Sequence, residues 1–148
     1  MDRPHFDGVS ELIFEFPQCE HFILHDLAEL DLACRNAYNA FDFATVARKL
    51  VEFASGPLST FYLDVTKDTL YSDLKDSAKR VAALSTMSQI LRTTTSILAP
   101  IAPHLAEEIH HFRQLDSDPE VGDQHTSVFA EGWHSPVSIF VSLCPADR

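Results

Sequence analysis

Apolar residues recur at intervals of three and four along most of this chain, and this spacing is typical of one buried face of an α-helix. The longest stripe lies between residues 18 and 40 and predicts a helix of about six turns. Four further stripes follow it. The five sets are Ile23, Leu27, Leu30, Cys34 and Tyr38; Phe43, Val46, Leu50 and Phe53; Leu58, Phe61, Tyr62 and Val65; Val81, Leu84, Met87, Leu91, Thr94 and Leu98, widened by Ile90 and Ile97; and Ile101, Leu105, Ile109 and Phe112. The sequence therefore predicts an all-α helical bundle of four to five helices with an irregular C-terminal tail.

Residues with strong local preferences mark both predicted ends of the second helix. Asp42 can cap its start. Gly56 stands where a C-terminal stop belongs, and Pro57 suits the first turn of the third helix. We therefore expect a short loop at Gly56 between two neighbouring helices.

The stretch from Lys67 to Asp76, KDTLYSDLKD, is polar and predicts a loop with one brief helical turn. Asp76 or Ser77 can then cap the long fourth helix. Pro100 should end or kink that helix, and Pro103 can occupy the first turn of the last one.

The distribution of polar residues predicts three parts. Residues 1–17 form a leader of uncertain structure, residues 18–115 form the helical bundle, and residues 116–148 form a loop and a C-terminal extension that packs on the bundle. Within the extension, Val137 to Leu143 suits a short strand, or alternatively a piece of a larger unit. No run of about 18 apolar residues occurs, so no membrane span is expected. The start also lacks the features of a signal peptide.

Charge is unevenly distributed along the chain. The 148 residues carry a formal net charge of -11, which opposes simple nucleic-acid binding because phosphate contacts need lysine and arginine. Residues 48–92 are the exception, with seven bases against five acids. On charge alone, this region is better explained as a solvated helix face than as an RNA contact.

Histidine and carboxylate side chains are numerous, yet they form no recognisable catalytic motif. His104, Glu107, Glu108 and His111 share one predicted helix, but their order is not HExxH. The three cysteines are far apart and form no CxxC pair, so we expect neither a zinc ribbon nor another metal site. The chain also contains no glycine-rich phosphate loop and no GxSxG elbow. We therefore expect a binding or docking domain, with a small helical hydrolase as the weakest alternative.

The run from Phe53 to Tyr71, FASGPLSTFYLDVTKDTLY, resembles the C-terminal anticodon-binding domain of isoleucyl-tRNA synthetase. That family shows Leu-Ser-x-x-Tyr followed by Lys-Asp-Arg-Leu-Tyr. Further similar segments are HFILHDLAEL at 21–30, LAPIAPHLAEEI at 98–109, and Ser127-Val128-Phe129 with Trp133. The 98–109 segment is shared with valyl- and leucyl-tRNA synthetases, so a domain of either type is an alternative.

The resemblance implies a part of a class I ligase that activates isoleucine with ATP and transfers it to tRNA. The His-x-Gly-His and Lys-Met-Ser-Lys-Ser signatures of that catalytic domain do not occur here. We therefore expect an excised domain or a truncated product that does not aminoacylate alone and holds no cofactor, since ATP and Mg²⁺ belong to the catalytic domain. The implied partners are an isoleucine-accepting tRNA and the catalytic domain of the same synthetase, with no membrane and no DNA. The implied location is the cytoplasm or the mitochondrial matrix.

The resemblance also implies which residues meet the tRNA. Four cations would contact phosphates, and exposed aromatic rings would stack on unpaired anticodon bases. Thr69 stands where the family has arginine, which predicts weak affinity for the isolated domain. The predicted tRNA-binding residues are Lys67, Tyr71, Lys75, Lys79, Arg80 and Trp133.

Each of these assignments has a structural alternative. Tyr62 lies on an apolar stripe and is expected in the core, and Trp133 can serve packing instead of stacking. Lys67 and Asp68 can simply form a local pair. An acidic helical protein-interaction module without RNA binding is the main alternative function.

Overall fold

The computed structural model describes residues 18–117, 126–134 and 136. These residues contain helices and turns, and no strand, which confirms the all-α prediction. The helices are α1 (Gln18–Asn39), α2 (Phe43–Phe53), a π-helical segment (Ala54–Tyr62), α3 (Leu63–Ser72), α4 (Ala78–Leu98) and α5 (Pro103–Ser117). The predicted leader at 1–17 and the predicted strand at 137–143 lie outside the described residues. The predicted division at residues 17 and 115 remains a prediction.

Helix α1 forms the centre of the bundle, because it packs against α2, the π-helical segment and α4. Its predicted stripe is confirmed: Ile23, Leu27, Leu30 and Cys34 are buried. Burying a large apolar side chain contributes about 1.5–3 kcal/mol, so this face supplies much of the stability of the bundle. The other helices contribute buried partners to the same core: Val46, Phe53, Tyr62, Ile90 and Ile97. In the described ranges no helix is long and apolar enough to cross a bilayer.

The loop predicted at Gly56 does not exist, because the chain stays helical from Phe43 to Ser72. Gly56 does not adopt the left-handed conformation that would end a helix there. Asp42 does cap the start of α2 as predicted, since its Oδ1 accepts the Thr45 N–H at 3.1 Å. The correction therefore concerns only the C-terminal end of α2.

Pro57 lies inside the π-helical segment and explains it. Proline has no N–H to give to the carbonyl four residues earlier, and its ring would clash with that carbonyl in an α-helix. In the π-helical segment hydrogen bonds join residues five apart, as the Leu63 N–H does with the Leu58 carbonyl, so the carbonyl four residues before Pro57 is not held where the ring would clash with it. Hydroxyl groups bond carbonyls of the same segment: Ser59 Oγ donates to the Ala54 carbonyl at 2.6 Å, and Thr60 Oγ1 to that of Gly56 at 2.7 Å.

The π-helical segment changes which side chains of α3 face the core. An unbroken repeat of 3.6 residues counted from buried Phe53 would return to the core near Asp64, Lys67 and Tyr71. The structure instead buries Tyr62 and Thr66. The predicted apolar face of Phe61 and Val65 is wrong for the same reason, since these side chains are 40% and 48% exposed.

The prediction of a loop at residues 67–76 is also wrong in its first half. Its first half belongs to α3, which ends only at Ser72, where Asp73 turns extended with ψ 151°. An ion pair one turn apart, Lys67 Nζ to Asp64 Oδ1 at 3.1 Å, supports this helix. The Thr66 hydroxyl also bonds back to the Tyr62 carbonyl at 2.7 Å.

The buried face of α4 agrees with the predicted one at Ile90 and Ile97, which are buried, and differs from it elsewhere. Leu84 and Leu91, which were expected in the core, are 48% and 41% exposed. The buried face lies one residue earlier along the helix, and its first two side chains are smaller than Leu84 and Met87: it consists of Ala83, Thr86, Ile90, Thr93 and Ile97. The small Ala83 lets Tyr62 approach α4, where the Tyr62 hydroxyl donates to the Ala83 carbonyl at 3.3 Å. Residue size at this close contact outweighs the hydrophobicity that the prediction relied on.

The predicted stripe of α5 is wrong as well. Leu105 and Phe112 are 48% and 59% exposed, whereas Ala106 and His110 are buried. The inner face of α5 meets residues 126–131 through apolar and polar contacts, and Ala106 forms a small buried cluster with Ala99 and Val128. Glu107 accepts hydrogen bonds from the Ser127 hydroxyl and, at 3.1 Å, from the Val128 N–H.

Trp133 attaches the C-terminal segment to α1. Its indole Nε1 donates to Asp31 Oδ1 at 2.7 Å, although Asp31 is 102 positions earlier in the chain. The Arg35 guanidinium lies 4.8 Å from the centre of the indole ring, and Tyr38 packs edge-on at 5.7 Å. Asp31 is 1% exposed and also accepts from Arg35 Nε at 3.0 Å, so one buried carboxylate serves both partners.

Replacing Asp31 by alanine should destabilise the bundle by about 1–3 kcal/mol, because two donors lose a charged acceptor in a buried site. Trp133 is the single tryptophan, so its fluorescence reports this contact directly. We expect a red-shifted emission and a lower urea midpoint for Asp31→Ala. The exposed Glu29→Ala, on the same helix, is the matched control. Unchanged emission and stability in Asp31→Ala would contradict this role.

His134 gives the attachment a pH dependence. Its backbone N–H donates to Ser96 Oγ at 3.3 Å, and its Nε2 lies 2.8 Å from Gln89 Oε1. Burial, followed by the nearby Arg92 guanidinium, lowers the pKa of His134 below its ordinary 6.5. The unfolded chain therefore binds the proton first as the pH falls through about 6.5, and stability is lost below that pH.

We expect the wild type to lose roughly 1 kcal/mol more unfolding free energy than His134→Asn between pH 7 and pH 5. Urea unfolding across this range measures the difference. His104→Asn, at an exposed histidine of α5, should keep the wild-type profile. Parallel pH profiles for wild type and His134→Asn would show that His134 does not cause the effect.

Candidate nucleic-acid interface

The predicted RNA-contact stretch lies where α3 ends and α4 begins. Residues 73–77 connect the two helices in a tight turn, in which the Ser77 N–H donates to the Leu74 carbonyl at 3.0 Å. The Ser77 hydroxyl also donates to Asp73 Oδ2 at 3.2 Å. Ser77 is thus the N-cap residue of α4 by position, but its side chain makes no capping hydrogen bond to the helix and bonds Asp73 in the turn instead. The turn places the last residues of α3 beside the first residues of α4.

Tyr71 is the most exposed aromatic side chain of this end, at 87%. It lies in the last turn of α3, one turn after Lys67. An aromatic ring in this position offers both faces to a planar partner. The hydrogen bond and charge of Asp64 raise the pKa of Lys67, which keeps its ammonium group protonated.

Lys75 and Lys79 flank the turn on its other side. Both are exposed, and within the described part of the chain neither forms an ion pair. Their ammonium groups are thus available to an external anion without first breaking an internal contact. Lys67 differs, because it would have to share its charge between Asp64 and a ligand.

Arg80 is partly buried, and its guanidinium donates a hydrogen bond to the Leu70 carbonyl. Leu70 lies in the last turn of α3, where carbonyl groups have no partner within the helix. One donor of Arg80 therefore serves the fold, and the guanidinium group has four others.

The charges of this end balance. Residues 64–80 hold four carboxylates and four cations, namely Asp64, Asp68, Asp73 and Asp76 against Lys67, Lys75, Lys79 and Arg80. Long-range attraction of a polyanion is therefore small, and affinity has to come from close contacts. The family motif has an arginine at the position of Thr69, and that positive charge is absent here.

Trp133, the sixth predicted site residue, is not part of this end. It contacts the C-terminal half of α1, and its neighbour Tyr38 donates to the Ile97 carbonyl at the far end of α4. Sixteen residues separate Arg80 from Ser96, which bonds the His134 N–H, and this corresponds to roughly 24 Å along the helix axis. The structure therefore groups Lys67, Tyr71, Lys75, Lys79 and Arg80 but sets Trp133 apart.

The histidine cluster of α5 is used for packing contacts. His110 is 1% exposed, and its Nδ1 lies 2.9 Å from the Arg113 guanidinium. A guanidinium can only donate, so Nδ1 accepts the bond from Arg113, and Nε2 lies 2.9 Å from the amide nitrogen of Gln114. Arg113 also holds Glu131 at 2.6 Å. These contacts join α5 to residues 126–131, and the sequence motif gave no signal for them.

Potential metal ligands cluster elsewhere in the described part of the chain. His25, Asp26 and Glu29 on α1 offer ligand atoms within 4.8 Å of one another. The group is largely exposed and does not include His104 or His111. The helical spacing of these three residues is sufficient to explain their proximity.

Comparison with known proteins identifies the class. A family model described as the anticodon-binding domain of tRNA ligase matches residues 20–144. The match covers most of the chain and includes the end formed by α3 and α4. This chain therefore belongs to the family of anticodon-binding domains of tRNA ligases.

Curated relatives define the kind of ligase to which this chain is similar. The isoleucine–tRNA ligase of Agrobacterium fabrum is 38% identical over 127 residues, which cover 86% of this chain and 13% of the relative. Those of Brucella abortus and Mesorhizobium japonicum are 39% and 37% identical, over 84% and 86% of this chain. The chain thus spans only 12–13% of the length of these relatives. No solved structure matches it. The resemblance to isoleucyl-tRNA synthetase is confirmed.

Proposed function

We propose that this chain docks the anticodon arm of an isoleucine-accepting tRNA and positions it for aminoacylation by a catalytic domain that lies outside the chain. The observation that carries the proposal is the end formed by α3 and α4. There an 87% exposed tyrosine stands beside two lysines that form no ion pair within the described residues, in a member of the anticodon-binding family. The names of the relatives, isoleucine–tRNA ligases, support isoleucine as the amino acid.

Lysine side chains bind the RNA backbone in this proposal. Lys75 and Lys79 contact phosphates directly, and Lys67 contributes a weaker contact because Asp64 competes for it at 3.1 Å. Arg80 remains a predicted phosphate contact, but its partly buried guanidinium already donates to the Leu70 carbonyl. Contacts to phosphate set the position and orientation of the RNA without reading its sequence. Each one makes binding more sensitive to salt, because it releases condensed counterions.

Tyr71 stacks on an unpaired base of the anticodon loop. Single-stranded loops are the part of an RNA that proteins usually read, because their bases can turn outward onto aromatic rings. One such stacking contact contributes about 1–3 kcal/mol. Trp133 remains a predicted stacking residue, but its indole would have to serve RNA while bonded to Asp31 at 2.7 Å. We therefore place the main stacking contact at Tyr71.

The remaining parts of the proposal concern the whole ligase. ATP and Mg²⁺ act in the catalytic domain and bind no residue of this chain. The partners are tRNA and that catalytic domain, and not DNA. Such a ligase works in the cytoplasm or the mitochondrial matrix, where translation takes place.

Titration of the 148-residue chain with an RNA hairpin that has the sequence of an isoleucine-tRNA anticodon arm tests the proposal. At low salt we expect Lys79→Ala to weaken binding about three- to tenfold and Lys67→Ala to weaken it less, since Lys67 is shared with Asp64. Lys49→Ala is the matched control, because Lys49 forms the same kind of short ion pair, to Glu52 at 3.2 Å, on α2.

The control variant should bind as the wild type does, and a DNA hairpin of the same sequence should bind more weakly than the RNA. Absence of RNA binding at low salt, or equal losses in all three lysine variants, would overturn the proposal. Recovery of protein partners without RNA would then favour an acidic protein-interaction module.

A further inference from the structure

Arg80 occupies a position that is electrostatically unfavourable for its own helix. It is the third residue of α4, and the N-terminal turn of a helix disfavours positive charge. Its guanidinium, however, reaches the Leu70 carbonyl in the last turn of α3. The C-terminal end of a helix favours a cation. The favourable interaction of the guanidinium with the dipole of α3 therefore offsets its unfavourable interaction with the dipole of α4.

The bond to Leu70 closes the turn between the two helices. The other hydrogen bonds described at this end are local ones: the Asp73 N–H to the Thr69 carbonyl at 3.3 Å, and the Ser77 bonds to Leu74 and Asp73. These fix the turn itself but do not join the end of α3 to α4. The bond from Tyr62 to Ala83 joins the helices at the other end of α3. Arg80 and Tyr62 together therefore hold both ends of α3 against α4.

We infer that Arg80 is a positioning residue for tRNA binding: it holds the last turn of α3 against α4 and so sets Tyr71 and Lys79 at a fixed separation. This inference rests on the proposed function and deepens it, because the main contribution of Arg80 is to the shape of the site and not to phosphate binding. A preformed site loses less conformational entropy on binding, and affinity rises accordingly.

Hydrogen exchange of the free protein tests the contact without any RNA. In Arg80→Met the amides of Asp73 and Ser77, which report the end of α3 and the turn, should exchange about tenfold faster than in the wild type. Arg80→Lys should restore part of the protection, because lysine can donate one bond to the same carbonyl. Lys79→Met, at the preceding residue, should leave both amides unchanged. Equal exchange in Arg80→Met and Lys79→Met would overturn the inference.

The dependence of RNA affinity on salt separates positioning from phosphate binding. Loss of one phosphate contact lowers the slope of log K against log salt concentration by about 0.7 to 0.9. We expect that loss for Lys79→Met. For Arg80→Met we expect about tenfold weaker binding of the hairpin with the wild-type slope, and partial recovery in Arg80→Lys.

A reduced slope in Arg80→Met would show that Arg80 binds phosphate and would overturn the inference while leaving the proposed function intact. If the wild type binds no RNA, the proposed function fails, and the exchange experiment still decides whether Arg80 holds the turn. Circular dichroism of each variant confirms that the helices are retained.

Discussion

In a regular α-helix the ring of Pro57 would clash with the carbonyl four residues earlier, and this steric constraint determines how the second half of the helical bundle is arranged. The chain meets the constraint by widening into a π-helical segment from Ala54 to Tyr62, where Leu63 bonds back five residues to Leu58. The segment turns Tyr62 and Thr66 inward in place of Lys67 and Tyr71. A regular α-helix through the same residues would bury the tyrosine and lysine that the proposed site needs at the surface.

The same segment connects the core to the site. Tyr62, once turned inward, fills the space beside Ala83 and bonds its carbonyl at 3.3 Å, which fixes the start of α3 on α4. Arg80 fixes the end of α3 through the Leu70 carbonyl. Between these contacts α3 is a short rigid element that presents one exposed aromatic ring. Because the charges of residues 64–80 balance, we expect the geometry of this element to contribute more to the proposed affinity for RNA than net charge does.

The sequence predicted the features that depend on local chemistry. The apolar stripe of α1 and the cap at Asp42 follow from helical spacing and a single side chain, and both are confirmed. The stripe of α4 failed at Leu84 because a rule based on hydrophobicity ranks Leu84 above Thr86, whereas close packing beside Tyr62 requires small residues. The Asp31–Trp133 and Glu107–Val128 bonds join residues far apart in the chain, so no local sequence pattern predicts them. The resemblance to the family motif supplied part of what local patterns could not, because it indicated residues at the α3–α4 end as the candidate site before their geometry was known.

Amide chemical shifts recorded while the anticodon-arm hairpin is added to the ¹⁵N-labelled chain test the central claim most directly. If the end formed by α3 and α4 is the RNA-docking surface, the largest shifts fall on residues 67–80 and grow with RNA concentration. Residues around Trp133 and the C-terminal half of α1, roughly 24 Å away, then change little. Shifts that cluster at Trp133 instead, or their absence at every RNA concentration, would contradict the account.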